Sequence, residues 1–128
     1  MMHPRSLIGR TAHASGIAAE DAACAAIRAD GWTILARRLR TKAGEVDMVA
    51  EKGGILAIIE VKSRPTLAEA AVALSVRQRA RLLGACEIIL GEHPDWGVKG
   101  VRFDILVVDA AGRVRRIADA FRSEDVER

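Results

Sequence analysis

The stretch from Gly54 to Arg64, GILAIIEVKSR, holds an uninterrupted apolar run, Ile55 to Ile59, that stops at Glu60-Val61-Lys62. A strand without polar alternation cannot leave either face in water, so it belongs at the centre of a sheet covered on both sides. The rest of the chain must therefore supply flanking strands and helices for two faces.

Glycine-bearing turns divide the neighbouring sequence. Lys42-Ala43-Gly44 separates WTILARRLR from EVDMVAE, and Lys52-Gly53-Gly54 separates EVDMVAE from the apolar run, which predicts three consecutive antiparallel strands. Before them, Gly16 to Asp30 is Ala-rich and reads as a helix closed by Gly31. After Pro65, apolar positions at Leu67, Ala71, Leu74, Leu82, Ala85 and Ile89 predict a long amphipathic helix over 67–91, ended by Pro94 and Gly97. VRFDILVVD and RVRRIADAF then read as two more strands. The order helix, three strands, helix, two strands predicts an α/β (α+β) architecture around one mixed central sheet. Residues 1–15 lack periodicity and are expected to form a flexible basic N-terminal arm, with the domain over 16–121 and a frayed C-terminus over 122–128.

A chain of 128 residues and 13.8 kDa supports one hydrophobic core, which excludes a large multidomain enzyme. No apolar run approaches the roughly 18 residues that cross a bilayer, and the N-terminal segment has no secretory apolar region, so a cytoplasmic location and no membrane partner are expected. Cys24 and Cys86 lie within helical patterns and read as buried thiols, and His3, His13 and His93 lack the spacing of a zinc helix. Sixteen of the twenty basic residues are Arg and the net charge is +3, a balance that suits phosphate oxygens but that genome composition alone can also produce. With only Trp32, Trp96, Phe103 and Phe121 for stacking, any nucleic acid that binds is expected to be a duplex contacted through its backbone.

The acids sit where acids are costly. Glu60 and Lys62 are two apart on one strand and leave the same face of the sheet. Hairpin arithmetic through Lys52-Gly53 places Asp47 opposite residues 58–60, within cross-strand reach of Glu60. Paired carboxylates repel unless a cation intervenes, and Mg²⁺ takes one or two protein carboxylates with water and phosphate at its other positions. The alternative is a solvated strand end. On the first helix, Glu20 shares a stripe with Cys24 and Ile27 and is expected to face the sheet; the alternative is an acid favoured by the helix dipole. Gln78, four residues from both Leu74 and Leu82, turns an amide inward, with a packing hydrogen bond as an equal alternative.

GEVDMVA, thirteen residues from its Asp to the Glu of IIEVKSR, resembles the PD-(D/E)xK nuclease core, with Asp47 and Glu60 as the acids and Lys62 as the lysine. Together with GIAAEDAACAAIRADGWTILARRLR and VRFDILVV, the pattern more closely resembles the small bacterial YraN-like family of endonucleases, whose fold is similar to archaeal Holliday-junction resolvases. The likeness runs from about Gly16 to Phe121. It implies a restriction-endonuclease-like core and a Mg²⁺-dependent endodeoxyribonuclease, with Mn²⁺ able to substitute, acting on duplex or branched DNA and pairing as a homodimer. Asp47, Glu60 and the Val61 carbonyl would hold the metal, Lys62 would orient the nucleophile, and Glu20 would assist at the rim. Gln78 stands where the family often has Lys, and Arg38 where it often has Asn. Asp104 also matches the pattern, with a structural hydrogen bond as its expected role. Arg37, Arg40, Lys42, Arg64, Arg77 and Arg81 are phosphate-contact candidates, each of which could equally be solvated surface. The rival function is a non-catalytic DNA- or protein-binding module on the same fold.

Overall fold

The computed structural model describes residues 4–63 and 75–121, with side chains from residue 16 onward. Its elements are α1 (Pro4–Ala29), β1 (Thr33–Thr41), β2 (Gly44–Lys52), β3 (Ile55–Ser63), α2 (Val76–Glu92), β4 (Gly100–Val108) and β5 (Val114–Phe121). The five strands form one sheet in the order β1-β2-β3-β4-β5, antiparallel except for the parallel pair β3 and β4. The apolar run is thus the central strand, as its pattern demands.

Each face of the sheet has its own core. On one side Ala19, Ala23, Cys24 and Ile27 of α1 pack with Met48, Ala50, Ala57, Ile59 and Leu106. On the other, Leu82, Ala85, Cys86 and Ile89 of α2 pack with Val46, Val49, Leu56, Ile58 and Ile105. Both cysteines are free and buried.

The turns explain the register. Gly53 and Gly54 both have positive φ, at 58° and 83°, which allows the two-residue hairpin that pairs Lys52 with Ile55. At the end of α1, Gly31 N–H donates to Arg28 O and Trp32 N–H to Ile27 O, a Schellman closure made possible by a φ of 87° at Gly31.

Two boundaries differ from the sequence expectation. α1 begins at Pro4, so most of the segment expected to be a loose arm is helical backbone. Proline is pre-organised for a first helical position, whereas apolar periodicity reports burial and not helical backbone as such. The second helix begins at Val76, because Ser75 caps it: the Ser75 hydroxyl accepts from Gln78 N–H and the Gln78 side-chain carbonyl accepts from Ser75 N–H. The expected first turns over 67–74, with Leu67, Ala71 and Leu74, lie outside the described residues, as do Arg64 and the tail over 122–128.

Candidate active site

Strands β2 and β3 are paired from Lys52↔Ile55 to Met48↔Ile59, and the pairing stops there. The next positions are Asp47 and Glu60. Regular alternation would put Val46 and Met48 on one face, yet Val46 packs in the α2-side core and Met48 in the α1-side core. The chain swivels at Asp47. Its neighbour on β1 swivels too: Arg38 lies between the pairs Arg37↔Met48 and Leu39↔Val46, with a left-handed φ of 50°.

The swivel turns the Asp47 carboxylate into the gap between the strands, where it accepts from Val61 N–H at 2.8 Å. Asp47 and Glu60 are also within hydrogen-bonding reach of each other. Glu60 is only 6% exposed. Burial first, and then the hydrogen bond and charge of Asp47, push its carboxyl up to about 8, against the opposing pull of Lys62 and Arg81. Glu60 therefore keeps its proton at neutral pH.

Glu60 projects to the α2 side of the sheet, where Arg81 Nη2 lies 3.2 Å from its Oε2. The Arg81 stem passes over Gly44, where a β-carbon would come within 2.6 Å of Arg81 Cδ, so the β1–β2 turn must carry glycine for Arg81 to reach Glu60. Arg81 Nε is buried without a hydrogen-bond partner. The structure gives this phosphate-contact candidate a partner within the protein, Glu60. Lys62 forms no ion pair among the described residues, and its charge acts on Glu60.

On the α1 side an open cleft of about 340 Å³ is lined by Glu20, Arg38, Glu45, Asp47, Val61 and Ser63, with the start of the α1 stripe behind them. Glu20 faces this cleft as expected, but Arg38 Nε and Nη2 both donate to its Oε2. Glu20 and Glu60 thus approach Asp47 from opposite faces of the sheet, each already held by an arginine. Among the described residues no group of three or more His, Cys, Asp or Glu side chains is placed to hold a metal ion together.

The other candidates divide. Arg37 pairs with Asp21 at 2.9 Å and Arg40 with Glu45 at 3.5 Å, both at the surface. Lys42 and Arg77 are exposed, and Arg64 is outside the described residues. Gln78 makes the hydrogen bonds of the helix cap, in line with the structural one of its two expected roles; the Ser75-x-x-Gln78 spacing is the signal that marks it. Asp104 is fully buried on β4 and accepts from Arg102, Arg116 and Asp119 N–H, so its role is structural. Arg102 and Arg116 both lie over the Trp32 ring.

Two acids that meet beside an open cleft, one of them buried, fit an ion that takes one or two carboxylates and fills its other positions with water and phosphate oxygens, which is the habit of Mg²⁺. They do not fit a closed four-ligand zinc site.

Known proteins agree on the lineage. The model of "Uncharacterised protein family UPF0102" matches residues 19–108. A UPF0102 protein of Granulibacter bethesdensis is 58% identical over 119 residues, covering 93% of this chain and 75% of the relative. One from Azorhizobium caulinodans is 45% identical, covering 90% and 88%, and one from Acidiphilium cryptum is 40% identical, covering 94% of each. The matched span includes α1 from Ala19, the whole β1–β2–β3 meander and β4, and hence Glu20, Arg38, Asp47, Glu60, Lys62 and Arg81. This chain belongs to the UPF0102 family.

Proposed function

We propose that the protein is a metal-dependent DNA endonuclease of the PD-(D/E)xK type that hydrolyses phosphodiester bonds in duplex or branched DNA. The observation that carries this reading is the meeting of Asp47 and Glu60 at the open end of the β2–β3 pair, with Lys62 two residues on. Asp47 and Glu60 would hold Mg²⁺ or Mn²⁺, with Val61 beside them at the cleft. When bound, the ion would polarise a phosphoryl oxygen and lower the pKa of a water. Lys62 supplies an ammonium close to Glu60, suited to orienting the attacking water and to stabilising the negative charge that develops on the phosphoryl oxygens of the phosphorane-like transition state. Val61 N–H fixes the Asp47 carboxylate so that it need not reorganise as charge moves.

The setting proposed for this activity is the cytoplasm; among the described residues no helix is long and apolar enough to cross a membrane. One observation favours the rival reading, a non-catalytic DNA-binding module: Glu20 and Glu60 are each satisfied by an arginine without any ion. Incubating purified protein with linear, flapped and four-way DNA in Mg²⁺, Mn²⁺ or EDTA separates the two. Cleavage that requires a divalent ion and is lost in Asp47→Asn supports the nuclease; binding without cleavage on every substrate supports the module.

A further inference from the structure

Glu20, Glu45 and Asp47 bring three carboxylates to the α1-side cleft, and among the described residues Arg38 is the cation that lines it. Two of its nitrogens are spent on one oxygen of Glu20. The charges of Glu20, Glu45 and Asp47 together hold its guanidinium above its ordinary pKa, Glu20 most of all. Arg38 is also one of two non-glycine residues with positive φ among those described. Such a backbone is disfavoured for a long side chain and persists where the surroundings impose it. Here it lets both Arg37 and Arg38, adjacent on one strand, reach α1, at Asp21 and Glu20. An arginine merely solvated at a strand edge requires neither the left-handed turn nor the two-nitrogen grip.

We propose that Arg38 is the built-in cation of this cleft: its guanidinium occupies the place beside Glu20 and Asp47 that a second divalent ion would need, so the chain takes a single such ion, at Asp47 and Glu60. The proposal rests on the metal-binding reading of that pair. A second ion would have to break two charge-assisted hydrogen bonds and shed part of its own water shell at once. Glu20 then acts as a positioning residue for Arg38, and the positive charge on the α1 side comes from the protein itself.

The full chain, titrated with Mn²⁺ and followed by the electron paramagnetic resonance signal of the free ion, reads the number bound directly. Wild type should take one equivalent, and Arg38→Asn, whose side chain tolerates left-handed backbone, should take two. Adding Glu20→Gln to Arg38→Asn should return the count to one. Arg38→Gly, which suits positive φ equally, serves if the Asn variant fails to fold. Two equivalents in wild type, or no gain in the folded Arg38 variant, overturns the proposal. If wild type takes none, the reading of Asp47 and Glu60 fails on its own; Arg38 is then judged by whether its replacement opens a site for one ion.

Discussion

The carboxylate of Asp47 replaces a rung of the β2–β3 ladder, accepting the Val61 N–H at 2.8 Å where regular pairing has already ended at Met48↔Ile59. One side chain therefore closes the backbone's hydrogen bonding and faces Glu60.

These two duties separate by substitution. Asp47→Ala leaves the Val61 N–H without its acceptor and should cost about 1–3 kcal/mol in urea unfolding. Asp47→Asn keeps a carbonyl for that bond, so its stability should stay near wild type while divalent-ion binding is abolished. Equal destabilisation of both variants would show that the charge of Asp47, not its acceptor, matters to the fold.

Glu60 makes stability fall with pH. Its carboxyl titrates at about 8 in the folded chain against an ordinary 4.5. The folded state thus holds the proton more tightly, and the resulting stability is full below the unfolded value and is lost as pH rises through 4.5 and on through 8. The loss should be on the order of a few kcal/mol. Urea midpoints from pH 4 to 9 should decline in wild type and flatten in Glu60→Gln. Saturating Mg²⁺ should reduce the decline, because the ion replaces the Glu60 proton. A wild-type curve parallel to that of Glu60→Gln would refute the raised Glu60 carboxyl.

Chemistry and DNA affinity should part company at the same residue. Glu60→Gln is expected to abolish metal-dependent cleavage while duplex binding holds or tightens, since one negative charge near phosphate has gone. Lys42→Ala with Arg77→Ala, both exposed, should instead flatten the salt dependence of binding by about one slope unit for each phosphate that is no longer neutralised. A Glu60→Gln protein that still cuts at the wild-type rate would place the activity elsewhere.

Asp104→Asn should be the most destabilising of these changes, at about 3–5 kcal/mol, because it removes the buried charge that Arg102 and Arg116 neutralise beside Trp32. In a stabilising solvent, its cleavage and ion binding should match wild type. Failure of a fully folded Asp104→Asn protein to bind the ion would tie this network to the site.

The strands and turns are legible in the sequence because the constraints that shape them are local: the apolar run at Ile55–Ile59 requires two covered faces, and Gly53-Gly54 permits one tight hairpin. The meeting of Asp47 with Glu60 follows from counting through that hairpin. The features that such counting misses are long-range or left-handed. Arg81 reaches Glu60 from another element, over a glycine whose lack of a β-carbon matters only once α2 is docked. Arg38 reaches Glu20 through a backbone conformation that alternation does not encode. Counting from Leu74 misplaces Gln78, because the shorter signal, a serine three residues ahead, marks a helix start.

Among the described residues, the two left-handed ones outside glycine, Arg38 and Asp119, fall on the two outer strands, β1 and β5. Each interrupts the row of backbone groups that an outer strand offers to a neighbour, and the Asp119 N–H is turned inward to Asp104. Outer strands broken in this way offer a second chain shorter straight runs than regular edges would, which is one of the irregularities by which sheets discourage edge-to-edge growth.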